Sequence, residues 1–90
     1  MHDIRHIEAL KRFELHQDGA VCELDYRREG TVVTFHHTGT PELLRGRGLA
    51  GHLVQAGLQW ARAQGLQVVP VCSYVATYIR RHPEWLDLLA

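Results

Sequence analysis

The stretch Thr38-Gly39-Thr40-Pro41-Glu42-Leu43-Leu44-Arg45-Gly46-Arg47-Gly48-Leu49-Ala50 leaves an apolar strand-like run and enters an apolar helix-like one, and it constrains the fold more than any other part of the chain. Gly46 and Gly48 permit backbone angles that a Cβ forbids, so successive N–H groups between Arg45 and Ala50 can turn inward and line a concave surface. Such a surface suits an anion. With a helix starting near Gly48, its unpaired first N–H groups and the positive end of its dipole point at the same spot, and Arg45 and Arg47 add charge. A phosphate or pyrophosphate is the expected guest. The run is not a P-loop, because Leu49 and Ala50 follow Gly48 where Lys and Ser or Thr are needed, and it lacks the third glycine spacing of a dinucleotide turn. Short Arg-Gly runs also occur in solvated loops and in segments that bind RNA; the position between strand and helix favours the phosphate.

With 90 residues, 46% of them hydrophobic, and a formal charge of zero, the chain is expected to form one domain, residues 1–90, with a single small core. Balanced charge argues against a nucleic-acid binder, which needs a broad excess of Lys and Arg, whereas a nucleotide-like cofactor needs only a local patch. No apolar run approaches the roughly twenty residues of a membrane span, and the start Met1-His2-Asp3-Ile4-Arg5 lacks the blocks of a signal peptide, so a cytoplasmic location is expected. Cys22 and Cys72 match no metal-binding spacing and are read as reduced thiols.

Residues 1–11 carry Ile4, Ile7 and Leu10 at roughly helical spacing broken by charges, and read as a short helix or a loose arm. From Arg12 the pattern turns strand-like through Phe13 to His16, and Asp18-Gly19 signals a hairpin. Ala20 to Arg28 alternates, with Ala20, Cys22, Leu24 and Tyr26 on one face. Glu29-Gly30 makes a second turn, and Thr31 to His37 a third strand with Val33, Phe35 and His37 on one side. A helix from about Leu49 to Gln64 has a polar stripe of His52, Gln55, Gln59 and Arg62; its apolar remainder is wide enough to predict cover from the sheet and from another element. Leu66 to Cys72 reads as a strand interrupted by Pro70, and Ser73 to Arg81 as a helix that Ser73 can cap and His82-Pro83 ends. The order is β-β-β-α-β-α: an α+β fold, a mostly antiparallel mixed sheet with helices packed on it, the last two strands parallel through a right-handed crossover.

The spacing Arg45, Gly48, Ala50 resembles the pyrophosphate-binding signature of the GNAT superfamily of acyl-CoA-dependent N-acetyltransferases. The wider set resembles its very small single-domain members: His37-Thr38, Pro41-Glu42, Arg45 through Ala50, Pro70-Val71-Cys72-Ser73-Tyr74, and Tyr78-Ile79 followed by His82-Pro83-Glu84. The resemblance implies acetyl-CoA or coenzyme A as cofactor and an amine, a small molecule or a protein lysine, as acceptor. It implies that the strands around residues 31–37 and 66–72 splay apart, that backbone groups near His36 to Gly39, including Thr38 and Gly39, bind pantetheine, and that Arg45, Gly46, Arg47, Gly48, Leu49 and Ala50 hold the pyrophosphate. Acyl transfer needs a free amine, stabilisation of an oxyanion and protonation of the leaving thiolate. Tyr78 stands where many superfamily members have a tyrosine that donates to the CoA sulfur, though it also reads as an ordinary amphipathic-helix aromatic. His37 is the candidate base, an imidazole being neutral at working pH, or else a half-buried strand histidine. Cys72, before a helix start that favours a thiolate, is expected to face the acyl end and either to carry the acetyl group or to contact the sulfur. Cys22 reads as core. No metal site is expected: His36 and His37 are adjacent on a strand, and His2 and His6 converge only on a helix. Larger members have further C-terminal strands walling the acceptor site, so the resemblance leaves that site undefined. A CoA-binding module without transferase activity is the alternative, and an RNA-binding Arg-Gly loop a third reading.

Overall fold

The computed structural model describes residues 2–90. Five strands, β1 (Asp3–Ile7), β2 (Arg12–Gln17), β3 (Ala20–Glu29), β4 (Val32–Gly39) and β5 (Gln67–Pro70), lie in one sheet in chain order, with helix α1 (Leu49–Ala63) before β5 and helix α2 (Ser73–Arg81) after it. The first four strands pair antiparallel and β5 pairs parallel to β4. Asp18 and Gly19 both take positive φ, 51° and 76°, as a two-residue hairpin with right-handed twist requires.

The alternation along β2 and β3 buries Phe13, Leu15, Cys22, Leu24 and Tyr26 in one cluster with Leu53, Val54 and Leu58 of α1 and Val75 and Ile79 of α2. The opposite, open face carries Arg12, Glu14, Glu23 and Asp25. Helix α1 lies very close to the sheet at Gly57, where a Cβ would stand 2.8 Å from Leu24 Cδ2 and 3.2 Å from the Phe35 ring. Its second cover is the 3-10 segment Pro83–Leu88: Arg62 pairs with Asp87 at 2.9 Å, donates to the Glu84 carbonyl and lies 5.0 Å from the Trp85 ring centre. The sequence expectation of a doubly covered helix holds.

The N-terminal stretch differs from its helical or loose reading. Asp3–Ile7 is an edge strand on β2, ended by a 3-10 turn at Glu8–Leu10 and by Lys11 at φ 54°. The reason lies in what β2 offers: Ile4 packs against the core, and His6 stacks on Phe13 at 4.0 Å, meets Trp60 edge-on and hydrogen-bonds Tyr26 Oη at 2.6 Å. A period of two satisfies these partners, and the Ile4, Ile7, Leu10 spacing does not. At the other end, β5 is shorter than read, because the chain turns at Val71 after the last paired residue, Pro70. Ser73 is the first residue of α2 rather than its cap; that position belongs to Cys72.

Burial holds the His6 imidazole below its usual pKa, opposed by Glu8 and reinforced by Lys11. Folding therefore favours neutral His6. Its contribution is complete above the unfolded value of about 6.5 and is lost as pH falls through the lowered folded value. Urea titrations are expected to show wild-type stability falling more steeply between pH 7 and pH 5 than in His6→Asn; equal slopes would remove His6 as the cause.

Candidate cofactor and acyl-transfer site

The loop between β4 and α1 is set by a 3-10 turn, Glu42–Leu44, whose Leu44 is fully buried and anchors the entry. Beyond it Gly46 and Gly48 take φ of 79° and 71°, with Gly48 as the N-cap of α1, so the backbone bends twice in the left-handed region as a nest of amides requires. A hollow of about 320 Å³ opens over it, lined by Thr40, Arg45, Gly46, Gly48, Ala50 and Tyr74. Leu49 is buried and fixes the helix start beneath. The two arginines behave differently. Arg45 donates to the Thr40 carbonyl at 3.2 Å and borders the hollow, whereas Arg47 is tied to Asp18 in the β2–β3 turn at 2.6 Å.

A second hollow of about 230 Å³ continues from Gly48 and Gly51 to Tyr74, Tyr78, Arg81 and His82. Tyr78 stacks on His82 with ring centres 3.9 Å apart, and burial, then Glu84 and Tyr74, push its phenol above the ordinary pKa. It is therefore a hydrogen-bond donor at neutral pH.

Strand β4 runs on to Gly39 while its pairing with β5 ends at Phe35 opposite Pro70. Cys72 sits at the point of separation, its amide donating to the Phe35 carbonyl at 3.0 Å and its sulfur 3.6 Å from Thr38 Oγ1. Burial raises the thiol pKa, but the amides of Val75, Tyr74 and Thr38 and the Thr38 hydroxyl outweigh it, and the net shift is downward. Cys22, fully buried on β3, is moved the other way by burial, with Thr40 only partly offsetting it. The two cysteines are thus chemically distinct.

His37 does not share the face of Val33 and Phe35. Asp25 lies opposite His37 while Tyr26 lies opposite Phe35, so His36 is an extra residue and the alternation reverses beyond it. Thr38 turns toward Cys72, and His37 turns to the open face, with Nε2 3.3 Å from Glu23 Oε1. The structure thus brings Thr38 and Cys72 together on one side of the β4 end and sets His37 on the other. Glu23 escaped the sequence reading, and Tyr74 entered it only through the resemblance, without a role in the site; the signal for Glu23 was Gly39, a glycine inside a strand. Glu23, Asp25 and His37 offer donor atoms within 4.8 Å of one another. Arg12 already lies among them, 2.7 Å from Asp25 and 3.4 Å from Glu23, and supplies the positive charge. His2 and His6 do not converge, since His2 lies against His52 and His6 against Phe13.

A family model described as GCN5-related N-acetyl-transferase matches residues 12–88. The chain belongs to that family. It is 32% identical to human Protein NATD1 over 82 residues, covering 91% of this chain and 72% of that one, and 30% identical to Protein NATD1 of Gallus gallus over 82 residues, covering 91% and 74%. A GCN5-like protein from Staphylococcus aureus, solved in solution by NMR, superposes with a TM-score of 0.77 at 24% identity over 98% of this chain and 87% of that one, a likeness of fold. In this GCN5-related domain no helix of the described residues is long and apolar enough to cross a membrane.

Proposed function

We propose that this domain transfers the acetyl group of acetyl-CoA to an amine. The observation that carries the reading is the hollow over the left-handed Gly46 and Gly48 at the start of α1, together with the end of the β4–β5 pairing just before Cys72. The residues fit the ligand. The nest and the start of α1 suit a diphosphate, Arg45 adds charge, and the backbone of His36 to Gly39 beyond the last β5 pair suits the amides of pantetheine. Acetyl-CoA supplies the activated acyl group. Thr38 and Cys72 then border the thioester, Tyr78 donates a proton or hydrogen bond toward the leaving sulfur, and His37, reached from the open face, accepts the proton of the amine.

Cys72, its thiol favoured toward thiolate, either takes the acetyl group or lies against the sulfur. Incubation with acetyl-CoA followed by intact-mass and peptide analysis is expected to place one acetyl group on Cys72, none on Cys22, and none in Cys72→Ala. An unmodified wild-type protein would leave Cys72 only the contact role. The function itself is tested by assaying CoA release with a panel of primary amines. Stabilisation by coenzyme A without transfer to any amine would make the chain a CoA-binding module instead.

A further inference from the structure

His37 is half exposed, and an imidazole on a strand end holds no fixed direction unless something holds it. Here three neighbours converge. Glu23 Oε1 stands 3.3 Å from its Nε2, and the other Glu23 oxygen is 3.4 Å from Arg12, which is itself anchored to Asp25 at 2.7 Å. Asp25 pairs with His37 across the strands, and Glu23 with Gly39. Gly39 has no left-handed φ to explain it; what it supplies is space. A Cβ there would lie 3.0 Å from Glu23 Oε1, 3.1 Å from Glu23 Cγ and 3.3 Å from His37 Nε2. The contact between carboxylate and imidazole is therefore built on a missing side chain.

We propose that Glu23 is a positioning residue that holds His37 as the base on the open face of the sheet, with Gly39 making room for the pair. This rests on the transferase reading above. In the transfer the amine nitrogen bonds the acetyl carbon, the carbon–sulfur bond breaks with its electron pair on sulfur, and the proton lost by nitrogen passes to His37. The Glu23 charge lies where the positive charge of the imidazolium then appears. Amine and CoA approach the thioester from opposite faces of the β4 end.

The test uses the full chain as wild type, Glu23→Gln, Gly39→Ala, His37→Ala and the double variant Glu23→Gln with His37→Ala. Kinetics with acetyl-CoA and primary amines are expected to show kcat falling roughly 10- to 100-fold in Glu23→Gln and Gly39→Ala, with KM for acetyl-CoA unchanged in Glu23→Gln. In the His37→Ala background Glu23→Gln should cost nothing further. NMR at fixed pH, which needs no turnover, should show the imidazole protons of His37 moving in Glu23→Gln while the core resonances stay. Unmoved imidazole protons, or an equal loss of kcat in both backgrounds, overturn the proposal. A moved imidazole in a protein that acetylates no amine overturns the transferase reading and the base's role with it, and leaves the tie between the two side chains standing.

Discussion

Gly48→Val is expected to abolish the stabilisation of this domain by coenzyme A. On the proposed reading, CoA at a hundredfold excess over its dissociation constant is expected to add about 2.7 kcal/mol to the wild type, which in a domain of this size would raise the melting midpoint by roughly ten degrees or more. The loss would not come from crowding, since a Cβ at Gly48 meets nothing within 4 Å. It would come from the backbone. At φ 71° a β-branched residue is a steric outlier, so the N-cap must leave the left-handed region and the amides at the start of α1 no longer converge. Gly48→Asn separates this cause from others, because asparagine tolerates that region, and it should keep much of the thermal shift. Full retention of the shift in Gly48→Val would remove the nest as the diphosphate site.

The second large effect concerns stability alone. Gly57→Val is expected to destabilise the domain by about 1–3 kcal/mol, the ordinary range for overpacking, and to lower the melting midpoint by roughly ten degrees. A residue with a Cβ is a better helix former than glycine by about 1 kcal/mol or less. The contact at 2.8 Å with Leu24 and 3.2 Å with Phe35 opposes that gain, and both neighbours are fully enclosed with little space to yield. Thermal unfolding without ligand reads the result. An unchanged or raised midpoint would mean that α1 can lift from β3 at no cost.

Much of the fold was legible because its signals are local. Asp18-Gly19 demanded a hairpin, the alternation of Cys22, Leu24 and Tyr26 demanded a face, and the width of the apolar surface on α1 demanded two covers. The glycine loop was legible for the same reason: the residue type permits the positive φ that Gly46 and Gly48 take, and their place between a strand and a helix calls for it. The N-terminal strand was not legible, since its pattern carries both periods, and the choice was made by Phe13, Tyr26 and Trp60 around His6.

His37 shows the limit most clearly. Counting by twos from Val33 puts it with the core, and the single extra residue at His36 puts it on the open face with Glu23. Arg47 likewise reads as loop charge until the β2–β3 turn brings Asp18 to it. By itself the sequence determined where glycines permit the turns of the loop before α1, the order of the elements from β2 to α2 and the thiol just before α2, because each depends on residue type within a few positions. Only the tertiary structure decided which face His37 serves, which arginine is paired and why Gly39 is glycine, because register and long-range contact come from strands more than ten residues apart.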